Sequence, residues 1–340
     1  MFWSLLLLPT ALAYESDTLT DRDQPLPDVE QTLDERAEEV VLQSIAWTNQ
    51  KTGCEASSEQ THRLLAKAIN ARVSPDELVT ERKGFASFGF DRYSAWIEKG
   101  GVVHRSFPDR SDLYGDLTFT ESPILKLAGV CSTVRVGDVL VGTDKFDHFF
   151  EEGYDGWRHA QYGAAPQRAI EWATHTELTT LGLETSLTFS YADLRADYDG
   201  MIFFDTLLDP ERGVAAIGAD GCLRPNHPFA WSDWVTWQYD EVLNPNVYTE
   251  TAQDGVTRHL WEHRDQYCAS YHKWAGPEYA ARLEQVLSER PTYAALVAPE
   301  RTDPLDLADL CAGWIPDAPT AAELPAWHRD ARGPSRRERE

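Results

Sequence analysis

The segment over residues 144–157, DKFDHFFEEGYDGW, constrains the fold more than any other part of the chain. Its apolar residues recur at helical spacing and fall on one face: Phe146, Phe149, Phe150, Gly153, Tyr154 and Trp157. A face this rich in aromatic rings is expected to pack into a large core. The other face carries Asp144, Asp147, His148, Glu151 and Asp155. The pattern predicts a helix over residues 144–161, in a chain whose 340 residues can enclose such a core.

Helical spacing recurs on both sides of this segment. It predicts helices over residues 33–49, 61–71, 166–181 and 191–206, and further helical segments between residues 233 and 288. Ser190 and Asp193 form a capping box at the start of the fourth of these helices. Between residues 84 and 141, apolar and polar residues alternate, which predicts a small sheet with Gly137 in a turn. The fold class is therefore predicted as α+β, mainly helical, with a small antiparallel β element in the middle of the chain.

The first residues are typical of an export signal. Residues 2–13 are largely apolar and end in Ala-Leu-Ala, which fits a signal peptide cleaved after Ala13, although a buried N-terminal strand is the alternative. The apolar run is too short to span a bilayer. We predict a flexible mature N-terminus over residues 14–32, one globular domain over residues 33–316, and a disordered tail over residues 317–340. The protein is expected to be secreted or periplasmic, without membrane insertion once the signal is removed.

The 5 cysteines are widely spaced and contain no CxxC or zinc-ribbon pattern. In an oxidising compartment they allow two disulfides and one remaining thiol, although free thiols throughout are also compatible with a periplasmic protein. Because both lie in the C-terminal half, Cys222 and Cys268 are the preferred pair.

The net charge is −25, from 31 Lys and Arg against 56 Asp and Glu. So acidic a chain is a poor candidate for binding nucleic acid or an anionic membrane surface, although high acidity is also a common means of solubility. The sequence contains no Walker loop, no GxGxxG after a strand, no GxSxG elbow and no EF-hand loop. We therefore expect no nucleic-acid partner and no cofactor, and the sequence leaves the oligomeric state open.

The strongest acid–base signal is Glu177. It lies on the same helical face as Ile170, Ala173, Thr174, Leu178 and Leu181, so its carboxyl is expected to be buried and its pKa raised. A buried carboxylic acid near a helix end is what a glycosidase uses as general acid. Glu184 and Asp193 follow on a hydroxyl-rich segment and are the candidate second carboxylates. The structural alternative is that Glu177 pairs with Arg168 or His175.

Other residues are expected to line the substrate site: Glu152, at the edge of the aromatic face, Ser190, Tyr191 and Trp234. Trp234 belongs to an aromatic-rich stretch over residues 229–248, where Trp234, Trp237 and Glu241 fall at helical spacing. That stretch suits packing in the core, and it also suits stacking against sugar rings.

The segments HFFEEGY and TELTTLG…TFSYADL resemble the secreted bacterial glycosidases of the lysozyme superfamily, including the deacetylation-specific lysozyme type. The resemblance covers residues 142–206. It implies a lysozyme-like fold, with Glu177 as the acid, Glu184 as its partner and Asp193 behind it. It also implies a polysaccharide substrate of the cell-wall aminoglycan class, namely peptidoglycan that is native or deacetylated. The Glu-Ser pair and Gly-Leu-Met-Gln run of lytic transglycosylases are absent from this sequence.

Two alternatives to a glycoside hydrolase remain open. One is a non-catalytic exported protein that binds glycan or another envelope component. The other is a metal-dependent hydrolase, either with zinc at the HxxEH pattern of His259, Glu262 and His263, or with a metal on the acidic face of residues 144–157, at Asp147, His148 and Glu151.

Overall fold

The computed structural model describes residues 15–17, 19, 22, 25–73, 93–99, 113–115, 117–120, 122, 125, 130–275, 277–295 and 307–312. Within these residues the fold is mainly helical, with short antiparallel strand pairs, and this confirms the predicted fold class. The predicted signal peptide over residues 1–13 and the predicted tail over residues 317–340 lie outside the described residues. None of the helices in the described ranges has the length and apolar character needed to cross a lipid bilayer.

Most of the described residues between 30 and 289 are organised in helices. The N-terminal part contains α1 (Glu30–Thr52), α2 (Ser58–Val73), α3 (Tyr93–Lys99), α4 (Asp144–Asp147), the π-helix π1 (His148–Glu152) and α5 (Gly153–His159). After these come α6 (Pro166–Leu178), the π-helix π2 (Gly182–Ser186), α7 (Tyr191–Asp205), α8 (Glu250–Glu262), α9 (Arg264–Trp274), α10 (Pro277–Glu289) and α11 (Leu307–Leu310). The helices predicted over residues 33–49, 61–71, 144–161, 166–181 and 191–206 are present, although α6 ends before residue 181.

The strands form separate two-stranded pairs. They are β1 (Thr133–Val136) with β2 (Val139–Gly142), β3 (Thr188–Phe189) with β6 (Val247–Tyr248), and β4 (Ala215–Ile217) with β5 (Leu223–Pro225). In the β1–β2 hairpin Val136 lies opposite Val139, and Gly137 in the turn has a φ of +56°. That left-handed conformation suits glycine, so the predicted turn is confirmed.

One predicted strand is a helix. The alternating segment predicted to begin the sheet includes Tyr93–Lys99, which forms α3, while residues 84–92 lie outside the described residues. Tyr93 and Ile97, one helical turn apart, are both buried. The backbone N–H of Ser94 donates to Asp147 Oδ1 at 3.0 Å, and the Ser94 hydroxyl also donates to this carboxylate. These long-range contacts stabilise a helix in a short segment whose alternation alone favours a strand.

The aromatic face of residues 144–157 lies in the core, as predicted. Phe146 and Phe149 are fully buried. The ring centroid of Phe149 lies 5.0 Å from that of Trp231, 5.3 Å from that of Trp234 and 5.4 Å from that of Phe203 on α7. The π1 segment is therefore held between α7 and the aromatic stretch near residue 231, and its polar side chains have a fixed place.

The aromatic-rich stretch over residues 229–248 belongs to the core, but it is not the helix that its spacing predicted. It forms two 3₁₀ turns, Trp231–Asp233 and Trp237–Tyr239, before β6. Trp231 and Tyr239 are fully buried. Each short turn directs its aromatic ring into the core. The rings are therefore buried although the backbone that carries them is not a continuous helix.

The prediction of a flexible N-terminus over residues 14–32 is wrong for residues 15–17 and 30–32. Glu15, Ser16 and Asp17 are buried, and residues 30–32 form the first turn of α1. The N–H of Cys131 donates to the Glu15 carbonyl at 2.9 Å, and the N–H of Leu113 donates to Asp17 Oδ2 at 2.8 Å. The polar residues 15–17 are therefore buried, and they form hydrogen bonds with residues that are distant in the sequence.

The predicted pairing of Cys222 with Cys268 is also wrong. Cys54 pairs with Cys222 and Cys268 pairs with Cys311, while Cys131 is a buried free thiol. Of the two alternatives that the sequence left open, the structure has two disulfides and one remaining thiol rather than free thiols throughout. Proximity of two cysteines in the sequence does not determine which sulfur atoms meet.

Candidate functional site

Charged side chains from distant parts of the chain meet in one buried group, which we name the buried acid cluster. Its members are Glu15, Asp144, Lys145, His148, Glu177, Asp193, Asp197 and Glu241, and all are buried. The carboxylates outnumber the two bases. Because an unpaired charge is costly away from water, the excess negative charge must be neutralised by protons or by a further cation.

Lys145 is the central cation of the buried acid cluster. Its Nζ lies 2.6 Å from Asp193 Oδ1, 2.7 Å from Glu241 Oε1 and 2.9 Å from Asp144 Oδ2. Burial by itself would lower the pKa of Lys145, but the surrounding carboxylates outweigh burial and hold the pKa well above its usual value. The ammonium is therefore charged while it is completely buried.

The carboxylates of Glu15, Asp144 and Glu241 lie around this lysine. One oxygen atom from each lies within 4.8 Å of the others, a spacing that a metal ion could bridge. Lys145 Nζ already contacts two of these carboxylates, so the ammonium is their resident cation. Burial raises the pKa of Glu15 well above its usual value and the pKa of Asp144 to about 7. The raised pKa values favour the protonated forms of Glu15 and Asp144, and Lys145 supplies the positive charge of this group.

His148 lies between two carboxylates of α7. Its Nδ1 is 2.9 Å from Asp197 Oδ1 and its Nε2 is 3.2 Å from Asp193 Oδ2. Burial by itself would lower the pKa of His148, but the two aspartates hold it well above its usual value. With an acceptor at each ring nitrogen, the imidazole donates from both nitrogens and carries a positive charge.

A second group with the spacing of a metal site is built on His148. One ligand atom each of His148, Glu152 and Asp197 lies within 4.8 Å of the others. Imidazole nitrogen and carboxylate oxygen are ligands of Zn²⁺, Mn²⁺ and Fe²⁺ in proteins. The ion pairs of Lys145 are with Asp144, Asp193 and Glu241, and therefore with none of these three residues. This second group is therefore the better candidate of the two for a metal ion.

The helices place these ligands by their spacing and by a close crossing. His148 and Glu152 are four residues apart in π1, and Asp193 and Asp197 are four residues apart on α7, so each pair projects from one side of its helix. A Cβ added at Gly200 would lie 1.8 Å from the Phe149 carbonyl oxygen. Glycine at this position lets α7 approach π1 closely enough for both aspartates to reach His148. Single π-helical turns occur frequently at functional sites.

Glu177 is buried, as predicted. Its Oε1 accepts a hydrogen bond from the Ser190 N–H at 2.8 Å, where the acidic side chain of a capping box would otherwise bind. Burial, reinforced by the charge of Asp193, raises its pKa well above the usual value. Asp193 has the opposite shift, because the charges of His148 and Lys145 outweigh burial and lower its pKa. These shifts favour the protonated form of Glu177 and the ionised form of Asp193.

Of the two carboxylates expected as partners of Glu177, one lies outside the buried acid cluster and one inside it. Glu184 is exposed on π2, outside the buried acid cluster, whereas Asp193 belongs to the cluster. The alternative in which Glu177 pairs with Arg168 or His175 is wrong, since both of those side chains are exposed and the carboxylate accepts from a backbone N–H.

The residues expected to bind substrate have several roles. Ser190 is the N-cap of α7, where its Oγ accepts from the Asp193 N–H at 3.2 Å and donates to Glu241 Oε1 at 3.2 Å. The Arg290 guanidinium lies 4.0 Å from the centre of the Tyr191 ring. Trp234 packs against Phe149 and Phe203 in the core. Of the expected set, Glu152 contributes directly to a group with metal-site spacing.

The HxxEH pattern does not form a metal-site group within the described part of the chain. The rings of His259 and His263 lie 4.3 Å apart, but Glu262 and His263 are exposed. On the acidic face of residues 144–157, Asp147 accepts hydrogen bonds from Ser94, and the metal-site group contains His148 and Glu152 rather than Glu151.

Sequence reasoning missed Glu15, Lys145, Asp197 and Glu241. Two of them carried a signal, since Lys145 precedes His148 by three residues and Asp197 lies one helical turn after Asp193. Glu15 and Glu241 carried none, because each reaches the cluster from an irregular segment distant in the sequence. No protein-family model, curated protein or solved structure matches this chain.

Proposed function

We propose that this protein is a metal-dependent hydrolase whose metal ion binds His148, Glu152 and Asp197. The observation that carries the proposal is the placement of His148, with Asp193 at Nε2 and Asp197 at Nδ1, and with Glu152 close enough to share a metal ion with His148 and Asp197. This hypothesis departs from the expectation that no cofactor is needed.

The partners of His148 fit a metal ligand. In metal sites, the ring nitrogen that does not bind the metal usually donates to a carboxylate, which fixes the orientation of the ring. Asp193 occupies that position, and Lys145 holds its other oxygen at 2.6 Å. A cation at Nδ1 would replace the proton that this nitrogen now shares with Asp197. It would also reduce the excess negative charge of the cluster.

Bound there, a divalent cation supplies a Lewis acid that makes water a stronger nucleophile near neutral pH. Asp193 orients His148, and Lys145 keeps Asp193 ionised. Glu177, whose raised pKa favours the protonated form, would donate a proton to a departing group. The charge of Asp193 acts on both Glu177 and His148, and this links the acid to the proposed metal ligand. Glu152 is partly exposed, and we place the approach of metal and substrate on its side.

Export of this hydrolase is part of the proposal. The two disulfides support it, because such bonds persist in oxidising compartments. A cell-wall polysaccharide is accordingly the first substrate class to test.

Metal binding tests the site directly. Chelator-treated protein is titrated with Zn²⁺ and Mn²⁺ by calorimetry, and the metal content is measured by mass spectrometry. Asp197→Asn and Glu152→Gln are expected to weaken binding by about tenfold or more, since each removes a charged ligand. The matched control is Asp155→Asn, a carboxylate on α5 that is about half exposed and pairs with Arg158. Equal metal affinity in Asp197→Asn and Asp155→Asn would contradict the site.

Hydrolysis is then measured on peptidoglycan, native and deacetylated, by the release of reducing ends, free amines and acetate. Product is expected with added metal, and it should disappear with chelator and in Asp197→Asn. If a metal-loaded protein releases none of these products from either substrate, the non-catalytic glycan-binding alternative is favoured.

A glycoside hydrolase without metal is the second candidate, and one observation favours it. Glu177 and Asp193 are two carboxyl groups whose pKa values are shifted in opposite directions, as in an acid paired with an ionised carboxylate. This candidate predicts loss of peptidoglycan turbidity in the presence of chelator, and loss of that activity in Glu177→Gln. Activity that requires metal and survives Glu177→Gln would exclude the glycoside hydrolase without metal.

A further inference from the structure

Residues 15–17 follow closely on the predicted export signal, and they are buried. The Glu15 carbonyl accepts from the Cys131 N–H at 2.9 Å, and Ser16 forms a parallel β-bridge with Cys131. A Cβ added at Gly142 would overlap Ser16 Oγ, so the segment packs directly against the end of β2. The chain is therefore anchored within two residues of the predicted cleavage point.

The Glu15 side chain reaches the buried acid cluster without a cation of its own. It is 2% exposed, and within the described residues its Oε1 has no hydrogen-bond partner. One of its carboxylate oxygens lies within 4.8 Å of an oxygen of Asp144 and an oxygen of Glu241. The ion pairs of Lys145 are with Asp144, Asp193 and Glu241. Glu15 is therefore the carboxylate of this group that Lys145 does not pair with.

The spacing of these three oxygen atoms fits an ammonium group. An ammonium has three N–H donors in tetrahedral directions, and with N···O distances of about 2.8 Å its three acceptors lie about 4.6 Å apart. The oxygens of the three carboxylates lie within 4.8 Å of one another. Lys145 by itself leaves this group with an excess of negative charge, because Asp193 shares the same ammonium. A second cation would therefore be stabilised here.

We propose that cleavage of the export signal after Ala13 creates a ligand for the buried acid cluster, the α-ammonium of Tyr14. It would bind between the carboxylates of Glu15, Asp144 and Glu241. Covalent geometry keeps this nitrogen within about 5 Å of the Glu15 Cα, whatever the backbone angles of Tyr14. This inference rests on the export that belongs to the proposed function.

The chemistry of the cleavage supplies the charge. A processing peptidase uses one water molecule to break the peptide bond, so that Ala13 leaves with a carboxylate and Tyr14 keeps an amine, which takes up a proton near neutral pH. Before cleavage the same nitrogen is a neutral amide, and the raised pKa values of Glu15 and Asp144 favour bound protons in this group. Processing therefore replaces a titratable proton by a fixed positive charge.

The first test is the N-terminus of the exported protein. The full chain is expressed with its export signal, purified from the export compartment, and its first residue is determined by mass spectrometry. We expect Tyr14. Cleavage at another position would overturn this inference and leave export standing, whereas a chain that retains residues 1–13 would overturn both.

The second test compares the mature protein, which begins at Tyr14, with a protein that keeps Ala13 as one extra residue. The extension moves the ammonium by about 3.8 Å and puts a neutral amide in its place. We expect the extended protein to melt about 5 °C lower, because a buried ion pair is broken. Its α-amine should react about tenfold faster or more with an acylating reagent, since an exposed amine is not held by carboxylates.

Both measurements are made with chelator and without substrate, so they do not depend on the proposed metal ion or on hydrolysis. Equal melting temperatures, or equal rates of acylation, would overturn this inference and leave the proposed function untouched.

The variant Glu15→Gln tests whether the carboxylate is the partner of the ammonium. In this background the loss of melting temperature caused by the extension is expected to shrink by about half or more, because one of the acceptors has lost its charge. The matched control is Glu184→Gln, an exposed position that should keep the whole loss. An equal loss in the two backgrounds would mean that the N-terminus packs without this ion pair, and it would overturn the inference.

Discussion

At the scale of the residue, Glu177 shows how burial without a salt bridge raises the pKa of a carboxyl and favours its protonated form. Its carboxyl accepts a backbone N–H from Ser190 and has no salt bridge within the described residues. The arrangement therefore differs from Asp193, whose two oxygens contact Lys145 and His148. Within one cluster the pKa of Glu177 is raised and that of Asp193 is lowered, because the neighbouring charges differ.

The raised pKa of Glu177 determines how this residue affects stability. A carboxyl whose folded-state pKa lies above its usual value of 4.5 binds its proton more tightly in the native state. Its contribution to stability is therefore complete below pH 4.5 and is lost as the pH rises toward the raised pKa. A tenfold difference in proton affinity between the folded and unfolded states corresponds to about 1.4 kcal/mol of stability.

Glu177→Gln keeps a neutral side chain at every pH. We expect its free energy of unfolding to equal that of the wild type near pH 4 and to exceed it by about 1 kcal/mol or more at pH 8. Urea unfolding at both pH values, with chelator present, measures this difference. Glu184→Gln is the control, because Glu184 is exposed and should show no pH-dependent difference. A Glu177→Gln protein that is less stable than the wild type at pH 8 would show that Glu177 is ionised.

At the scale of the element, the crossing of α5 and π1 with α7 positions the metal-site group. Gly153 and Gly200 face each other there, and a Cβ added at Gly153 would lie 2.6 Å from the Gly200 Cα. Backbone atoms cannot move aside as a flexible side chain can. The two helices must therefore separate if either glycine gains a side chain, and His148 would then lose its contacts with Asp193 and Asp197.

Gly200→Ala is expected to lower the free energy of unfolding by about 3 kcal/mol and to weaken metal binding, because the added methyl group overlaps the Phe149 carbonyl. Gly156→Ala is the matched control on α5, since its Cβ would meet its nearest neighbour at 3.7 Å, an ordinary contact. That substitution should be neutral or stabilise the protein by up to about 1 kcal/mol through helix propensity. Equal stability of the two variants in urea unfolding would mean that the helices do not cross this closely.

At the scale of the whole molecule, the disulfides connect segments that are distant in the sequence. Cys54, after α1, joins Cys222 between β4 and β5, with a sequence separation of 168 residues. Cys268 on α9 joins Cys311 after α11, with a separation of 43 residues. A cross-link restricts the unfolded chain more strongly when it closes a longer loop.

Chain entropy therefore predicts unequal effects of the two bonds. Replacing Cys54 and Cys222 by serine should lower the free energy of unfolding by about 5 kcal/mol, and replacing Cys268 and Cys311 by about 4 kcal/mol. Urea unfolding of the two double variants against the wild type measures the difference. A larger loss for the Cys268–Cys311 variant would show that native packing, rather than loop length, decides the contribution of these disulfides.

The sequence by itself determined the features that depend on neighbouring residues. Periodicity predicted the aromatic face of residues 144–157, the β1–β2 hairpin, the cap at Ser190 and the burial of Glu177, because spacing along one element reports which face is buried. Local alternation failed at α3, where contacts with Asp147 decide the conformation.

Only the tertiary structure decided which charges meet. The hydrogen bond between Ser16 and Glu241 joins residues 225 positions apart, and no local pattern carries that information. The same holds for Lys145 among three carboxylates and for His148 between two aspartates of α7. The periodicity of a helix shows that a side chain is buried, whereas its partner, and hence its charge and chemistry, depends on how distant elements pack.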